Sequence, residues 1–587
     1  MFKRSSTLMN RKFREYLIPT ILTNAAVSMT TVMDSIVVGN LLGEAALSAT
    51  GFALPILFGI NAILFLFTVG GVTLASIARG RHDEKYANRV FTITFTAGMA
   101  AMVLLLAVLL IFMEPITNSL AQGDAELAAM TRVYLTPTVF VGPVMMLVMG
   151  MAFFVRSDGK PRMASLIAVT ANVVNIASDY TLIRFAGMGI EGAGLGTLIG
   201  YTAGIIVVIP YLFSKERGFK FAKLRLDDFK ELASIAGTGS PKAMTHGLSF
   251  ARTIILNALI ISALGVSGVA AMTVCVRMLT ISAIFVVGTN DTLLPIVGTL
   301  FGEKDYTGIR FAAHRGFLFM MVTCAAVTVL FMAIPEHLGH LFGINSAEGL
   351  AVAVPALRMY AISIPLHGIT LMLQNFFPTT GRTKLAALMA ALSGFVFTIL
   401  FALVIIQIDS SYFWMAFALS EFSTILVVLG IGIYIRRKEK VKGILLLHGN
   451  QEDGLSAEFS IPATVEACAK LSEQSMQFCR ESNVDDSASM RIGIAVEEMA
   501  ANTASLGHKK NSGVIDVLIR ITDQELILRL RDDGVPFNPM EYQCSDESLA
   551  TEGIDVVRRL AKDISYARPL GFNVTVVTIP RKELQFT

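Results

Sequence analysis

Two separate groups of oxygen-bearing side chains stand at spacings that suit chemistry. In the segment VEEMAAN, at 496–502, Glu498 and Asn502 are four residues apart, so on a helix they face the same way. A carboxylate and an amide oxygen in that arrangement can orient water and hold Mg²⁺ against a triphosphate. Far upstream, in apolar sequence, stand the carboxylates of Asp34 and Asp179. Charged groups inside apolar runs are costly, so they indicate function.

Further polar positions follow VEEMAAN in the last quarter of the chain. Asp532, in RDDGVPFNP, can accept a hydrogen bond from an adenine amino group, and Gly534 lets the backbone pass close to the base. Gly553, in TEGIDVVRRL, is predicted to lie just before a helix N-terminus, where phosphate binds readily. The last predicted strand offers Asn573 and Thr575. Together with VEEMAAN, these residues predict a site for ATP with Mg²⁺.

The apolar part of the chain predicts a cation site. Asn172, Asn175 and Asp179 are spaced i, i+3, i+7, which is one face of a helix. Asp34 and Thr197 are predicted at a similar depth on neighbouring helices. Hard oxygen ligands suit Na⁺, and a carboxylate pair can equally trap H⁺ by mutual repulsion. The alternative is that both aspartates satisfy backbone or hydroxyl groups at helix ends.

Five more titratable residues of the apolar part are weaker candidates. They are Asp291, Glu421, Arg252, Arg277 and His246. Each of the first four can instead form a structural ion pair, which is the favoured interpretation for the two arginines. His246 is interpreted as a packed histidine rather than a proton relay.

Composition divides the chain into a membrane part and a soluble part. Of the 587 residues 54% are hydrophobic and 16% charged, with mean hydropathy +0.63, whereas soluble proteins carry about 25% charged residues. Long apolar runs end near Arg436, and charges then return at ordinary density. The net charge of +3 implies no nucleic-acid partner. The five cysteines form no CxxC pair, so neither a disulfide framework nor a zinc site is expected.

Twelve apolar segments are long enough to span a bilayer. One alternate set of connections is rich in Lys and Arg, as at 79–89, 156–162, 215–230 and 436–442. The positive-inside rule assigns these connections to the cytoplasm. The sequence therefore predicts a multi-pass protein of the cell (inner) membrane with both termini cytoplasmic.

An internal repeat divides the spans into two halves. LLGEAALSATGF at 41–52 returns as ALGVSGVAAMTV at 263–274, and Pro19 and Pro241 share the same offset of 222 residues. Two lobes of six spans with a cavity between them are expected. Leu256 is the residue of the second half that corresponds to Asp34, so the cation site is predicted in the first lobe alone. The predicted divisions are an N-terminal segment at 1–14, a first lobe at 15–213, a linker at 214–235, a second lobe at 236–436, a linker at 437–453 and an ATP-binding domain at 454–587.

The last of these divisions is predicted to be an α/β sandwich. Five candidate strands, SAEFSIP, GVIDVLIRI, ELILRLRDD, DISYARP and NVTVVTIP, accompany candidate helices at 463–481, 487–506 and 553–562. The chain has no GxxxxGK[ST] motif, so it is not expected to be an ATP-driven pump of the P-loop kind.

The duplicated lobes, VMDSIVVGNLLG in the first span and NIASDY in the fifth resemble the MATE (multidrug and toxic compound extrusion) family. The resemblance covers about residues 10–436. It implies a secondary antiporter that exports organic cations or other amphiphiles against inward Na⁺ or H⁺. The N-lobe cation ligands of the family match Asp34, Asn175, Asp179 and Thr197. The alternative is a lipid-linked precursor flippase with the same two-lobe fold, which would need Arg252 and Arg277 to line its cavity.

The C-terminal division resembles the GHKL ATP-binding fold in its short form, that of anti-sigma-factor serine kinases. The resemblance implies a general base at Glu498, a Mg²⁺ ligand at Asn502 and an adenine contact at Asp532 with Gly534. TEG at 551–553 stands where that family has paired glycines in its lid. The resemblance implies serine kinase or weak ATPase activity, with an anti-sigma-antagonist-like protein as cytoplasmic partner. The other expected partners of the chain are a small-molecule substrate and membrane lipid. A membrane sensor with a serine-kinase-like output is the remaining alternative.

Overall fold

A computed structural model describes residues 2–120, 125–341, 344, 347–439, 441, 443–447, 454–507, 513–541 and 549–581. Part of the predicted linker at 437–453, including residues 448–453, lies outside the described residues, as do Cys544 and 582–587. The described chain forms a long helical part, called here the membrane domain, followed by a mixed domain from Gly454 to Arg581, called here the tail domain.

The first half of the membrane domain is built from long apolar helices, whose backbone groups are satisfied internally as a bilayer requires. Its helices are α1 (Thr7–Leu42), α2 (Glu44–Phe52), α3 (Leu54–Gly80), α4 (Glu84–Ile111), α5 (Met113–Leu120), α6 (Ala125–Thr138), α7 (Val141–Ser157), α8 (Pro161–Arg184) and α9 (Gly189–Phe213). A short 3₁₀ turn at Leu226–Lys230 then leads into the second half.

The second half repeats this plan. Its helices are α10 (Glu231–Gly302, interrupted at Gly265), α11 (Tyr306–Ala333), α12 (Pro335–Leu341), α13 (Ala347–Ala361), α14 (Ser363–Thr379), α15 (Thr383–Ala391), α16 (Phe397–Ile408) and α17 (Met415–Glu439). One π-helical turn, Leu392–Val396, joins α15 to α16. Within the described residues, ten helices are long and apolar enough to span a membrane, and two bent pairs raise the number to twelve. The predicted twelve-span architecture is confirmed.

Backbone details recur at the repeat offset of 222 residues. Gly43 and Gly265 both break their helices with positive φ, 86° and 65°. Asp83 and Asp305 both cap the next helix, each accepting a hydrogen bond from the backbone N–H three residues on. The residues just before these caps, His82 and Lys304, both have a positive φ near 60°. A shared backbone at such unusual positions indicates that the two halves descend from one duplicated unit.

The two lobes form a tight seam at the end of the membrane domain that carries the tail, beside a separate packing of α1 on the second lobe. The seam joins residues 66–80 of α3 to residues 235–239 and 298–302 of α10. A side chain at Gly70 would collide with the carbonyl of Ile235, and one at Gly239 with the carbonyl of Leu66. Gly80 and Gly302 meet the opposite backbone in the same way. Glycines therefore allow the helices to close tightly here, and we call this end of the bundle the tail end.

The tail domain is a five-stranded antiparallel sheet with helices on one face. Its elements are β1 (Leu455–Pro462), α18 (Val465–Glu481), α19 (Asp486–Gly507), β2 (Val514–Ile521), β3 (Glu525–Asp532), α20 (Leu549–Leu560), β4 (Asp563–Ala567) and β5 (Asn573–Pro580). The strand order is β1-β2-β3-β5-β4. Alternate apolar residues of the strands pack under the helices, among them Val517, Leu528 and Val577. The predicted α/β architecture is confirmed.

Candidate functional sites

The two aspartates of the first lobe lie in contact. The carboxyl groups of Asp34 on α1 and Asp179 on α8 lie close enough to interact directly with each other. The amide of Asn175 donates to Asp179 Oδ2 at 3.0 Å and lies 3.4 Å from Thr197 Oγ1. The structure therefore brings together the four residues predicted for this site. Asn172 is apart from them, because its amide donates to the carbonyl of Ala168 in its own helix.

Close packing of α8 against α9 positions this group. A side chain at Gly196 would collide with the Asp179 carboxylate, and one at Gly200 would strike Asn175. Asp179 is 1% exposed, and its Oδ1 atom has no hydrogen-bond partner among the described residues; Oδ1 of Asp34 has none either. Buried acceptors without donors are costly. The oxygens of this group are thus suited to hold a cation, either Na⁺ or a proton.

The second lobe has no equivalent carboxylate pair at the repeat positions described. Leu256, at the position equivalent to Asp34, is buried in the apolar core. Glu421 instead pairs with His367 at 2.8 Å, and Asp291 lies 3.8 Å from Arg156. These are the ion pairs that the sequence left open as alternatives for the two acids.

In the tail domain, the predicted motif VEEMAAN lies on α19. The Asn502 amide donates to the carbonyl of Glu498, while its Oδ1 is buried and has no partner among the described residues. An orphaned amide oxygen beside a carboxylate fits a Mg²⁺ ligand. Burial raises the pKa of Glu498, and the neighbouring Glu497 raises it further. A raised pKa is what a general base near neutral pH needs.

The predicted motif RDDGVPFNP starts at the end of β3, whereas VEEMAAN lies on α19 in the helix layer. Asp532 is 3% exposed, and its Oδ1 accepts hydrogen bonds from the backbone N–H of Gly534 and from the Asn573 amide. Asn573 is held in turn by the Tyr566 hydroxyl at 2.8 Å. Thr575 lies on the same face of β5, two residues further on. The RDDGVPFNP motif and β5 are therefore in contact, as an adenine pocket requires.

The prediction that Gly553 precedes a helix N-terminus is wrong. Helix α20 begins at Leu549, so Gly553 lies one turn inside it. Its missing side chain has a different use, since any Cβ there would collide with the carboxylate of Glu498. The sequence places the helix start too late because the segment SLATEG carries no clear start signal. Gly553 thus brings α20 against the candidate general base.

The face of the tail sheet that is not covered by helices packs on the membrane domain. On the second lobe, Arg531 of β3 donates to Asp305 Oδ2 at 2.8 Å and also binds Glu303. Arg529 donates to the carbonyl of Glu303 at 2.6 Å. Arg4, from the N-terminal segment, joins Asp305 at 3.2 Å to Asp516 of β2 at 3.0 Å. We call these residues the docking cluster.

The docking cluster is almost fully buried. The side chains of Arg531 and Asp305 are 2% and 1% exposed. Burial raises the pKa of Asp516 to about 6, against the opposing effect of Arg4. Buried charges of this kind stabilise an interface only while every partner is present.

The same sheet face also reaches the first lobe, through weaker contacts. The Arg79 guanidinium lies 3.4 Å from the carbonyl of Arg568, and His82 lies 3.3 Å from the Ser565 hydroxyl. Gly159 packs directly on Gly571, with no room for a side chain. The tail domain therefore bridges the two lobes across the seam, with its stronger bonds on the second lobe.

The sequence pattern did not predict the docking cluster. Arg529 and Arg531 alternate with leucines in ELILRLRDD, which is typical of a strand with one solvated face. They are buried because they pack on the second lobe, more than 200 residues away in the sequence. The available signal was GEKD at 302–305, which repeats the capping loop of the first lobe and adds a second acid next to it.

The fold and these sites define a two-lobe membrane transporter joined to a nucleotide-binding type of domain. Residues 19–181 and 241–404 match the MatE family model, and 461–579 match the histidine kinase-like ATPase domain. The chain belongs to the MATE family of multidrug efflux transporters and carries a histidine kinase-like ATPase domain at its C-terminal end. The two MatE matches begin 222 residues apart, at the offset of the internal repeat.

Two relatives are staphylococcal export proteins. Multidrug export protein MepA of Staphylococcus saprophyticus is 25% identical over 355 residues, which are 60% of this chain and 77% of that protein. MepA of Staphylococcus aureus is 25% identical over 359 residues, with the same coverage of each chain.

Solved transporters share the fold of the membrane domain. An outward-facing multidrug resistance MATE family transporter of the MOP superfamily has a TM-score of 0.67 at 20% identity, covering 74% of this chain and 97% of that one. The MATE transporter VcmN of Vibrio cholerae, in its bent form, has a TM-score of 0.66 at 18% identity with the same coverage.

Proposed function

We propose that this chain is a cation-coupled antiporter, which exports organic cations or other amphiphilic small molecules in exchange for Na⁺ or H⁺. The observation that carries the proposal is the Asp34–Asp179 pair, held by Asn175 and left with two unpartnered carboxylate oxygens among the described residues. Two adjacent carboxylates cannot both ionise without a cation between them. Loading and release of that cation would change the charge balance of the first lobe, which is what coupling requires.

We further propose that the tail end faces the cytoplasm, in the cell (inner) membrane. The basic connections at 79–89 and 215–230 support this orientation through the positive-inside rule. In transporters built from two repeats, access alternates by one repeat rocking against the other. The seam must then open to take up substrate from the cytoplasm.

The tail domain is proposed to regulate that opening. Its sheet bridges both lobes beside the seam, so separation of the lobes must break one set of its contacts. The first-lobe contacts are two long hydrogen bonds, worth about 0.5–1.5 kcal/mol each, the glycine packing described above, and an ion pair between Arg11 of α1 and Asp533. Because Arg11 is 54% exposed, that ion pair is worth only about 0.2–1 kcal/mol. The second-lobe contacts are the ion pairs of Arg529 and Arg531, whose side chains are only 8% and 2% exposed. The tail should therefore stay on the second lobe and release the first.

ATP with Mg²⁺ is the proposed signal. Asn502 would hold the metal, Asp532 with Asn573 would hold the base, and Glu498 would accept a proton from an attacking hydroxyl or water. The triphosphate with its metal supplies the phosphoryl-transfer chemistry when bound. On β3, Asp532 faces the proposed nucleotide site and Arg531 faces the membrane domain. Nucleotide binding and docking of the tail therefore involve neighbouring residues of one strand.

The antiport proposal is tested in proteoliposomes with an imposed Na⁺ or H⁺ gradient. Asp34→Asn and Asp179→Asn should each abolish gradient-driven efflux of a dye. Asn172→Ala is the matched control, because Asn172 is buried on the same helix but bonds only within it. Normal gradient-driven efflux from well-folded Asp34→Asn protein would rule the proposal out.

A further inference from the structure

A group of basic and aromatic residues lies immediately beyond the seam, on the side away from the tail. Phe65 and Phe153 belong to the first lobe, and Lys242, His246 and Asp291 belong to the second. Phe65 adjoins the seam residue Leu66, and Lys242 lies one turn past the seam residue Gly239. Its members come from both lobes and contact one another, so the group lies where the lobes meet. We call it, with Arg156, the cleft floor.

The aromatic part of the cleft floor is stacked and carries a cation. The rings of Phe65 and His246 are stacked with centroids 4.9 Å apart, and Phe153 meets Phe65 edge-on at 6.3 Å. The Lys242 ammonium lies 5.7 Å from the centre of the Phe65 ring. Lys242, His246 and Phe65 are half-buried, so they remain reachable from the cleft.

The positive charge of the cleft floor exceeds its negative charge. Arg156 has a side chain 4% exposed, with Asp291 at 3.8 Å as its ion-pair partner. Its Nε and Nη1 atoms have no hydrogen-bond partner among the described residues. The charge of Asp291 also acts on Lys242, so one carboxylate serves two cations.

Unmet donors and excess positive charge inside a membrane protein are expensive. An anion placed between Lys242 and Arg156 would satisfy both. We propose that the cleft floor is a binding site for the anionic group of an amphiphilic aromatic substrate, a carboxylate, sulfonate or phosphate, whose rings lie beside the half-buried Phe65–His246 stack. The proposal rests on the transport function proposed above and narrows its substrates toward anions and zwitterions.

The chemistry fits both a soluble aromatic anion and the headgroup of an anionic lipid. Carboxylates and phosphates accept charge-assisted hydrogen bonds equally well from Arg and Lys. The apolar body of either molecule would lie along the half-buried rings. The experiment must therefore include both sources.

The probes are 5-carboxyfluorescein and rhodamine 123, which share a xanthene core and differ in charge. Fluorescence polarisation measures their binding to the purified full-length protein in phosphatidylcholine nanodiscs. We expect Lys242→Gln and Arg156→Gln to weaken carboxyfluorescein binding about tenfold or more, as loss of a charge-assisted bond implies. Rhodamine 123 should bind as before or more tightly. Lys230→Gln is the control, since Lys230 is an exposed lysine at the same end of the bundle.

Lys242 is half-buried, so its variant tests the site even where Arg156→Gln fails to fold. Unchanged carboxyfluorescein affinity in folded Lys242→Gln protein would overturn the proposal. Equal affinity of the two dyes for the unmutated protein would also overturn it. Phosphatidylglycerol nanodiscs that suppress carboxyfluorescein binding would support the site and assign it to lipid headgroups. Because these readouts need no gradient, they are independent of the Asp34→Asn transport test.

Discussion

Removal of the Arg531 guanidinium should release the tail domain from the membrane domain. Arg531 is 2% exposed and binds both Glu303 and Asp305, so Arg531→Ala leaves two buried carboxylates with fewer partners. Breaking a buried pair in this way costs about 3–5 kcal/mol. At about 1.4 kcal/mol per factor of ten, the docked population should fall by roughly two to nearly four orders of magnitude. The contacts that remain, among them Arg529 with Glu303 and the packing of Phe572 on the membrane domain, do not replace the bonds that are lost.

Docking can be measured by cross-linking across the first-lobe contact. The pair His82→Cys with Ser565→Cys replaces two polar atoms 3.3 Å apart, in a background without native cysteines. A protease site inserted at 448–453 separates tail from membrane domain on a gel unless the cross-link holds them. Arg531→Ala should abolish the cross-link, whereas Lys470→Ala should keep it. Lys470 lies on α18, is 61% exposed and pairs with Glu466 of its own helix.

The same variant should transport faster, because the released tail no longer bridges the lobes beside the seam. Full cross-linking in Arg531→Ala would show that the docking cluster does not hold the tail. Loss of the cross-link with an unchanged transport rate would show that docking does not restrain the seam. Either result would refute the regulatory role given to this interface.

Three other predictions concern the seam and the nucleotide site. Gly239→Val should stop transport because its side chain meets the carbonyl of Leu66, while Gly237→Val, with open space around it, should transport normally in the same proteoliposome assay. Glu498→Gln should keep ATP binding and lose phosphate release, whereas Asp532→Asn should lose about tenfold in ATP affinity by calorimetry; parallel behaviour of the two would contradict their separate roles. Gly553→Ala should lower phosphate release while ATP binding persists, because the added methyl displaces the Glu498 carboxylate; unchanged phosphate release would contradict that packing.

Much of the membrane domain could be predicted from the sequence because its physics is local. Apolar length gives the spans, and the repeat offset alone relates Gly43 to Gly265 and Asp83 to Asp305. The Asp34–Asp179 contact was predictable as well, since costly carboxylates at matched depth have few other partners. The same reasoning located Glu498, Asn502 and Asp532 on their helix and strand.

What escaped prediction depends on contacts between distant parts of the chain. Arg529 and Arg531 have the pattern of solvated strand residues, and only the docked second lobe buries them. Lys242 and Arg156 belong to different lobes, so their shared excess of charge appears only when the seam closes. The start of α20 was misplaced because a helix of twelve residues packed on α19 needs no strong local signal.

The central claim is that a cation gradient drives transport and the tail domain regulates it. The most direct test is efflux of a cationic and an anionic dye from proteoliposomes under an inward Na⁺ or H⁺ gradient, first without nucleotide and then with ATP and Mg²⁺ on the tail's side. The account predicts gradient-driven efflux without ATP, and a change in its rate, absent in Asp532→Asn, when ATP is added. Efflux that begins only with ATP, or that ignores the gradient, would contradict it.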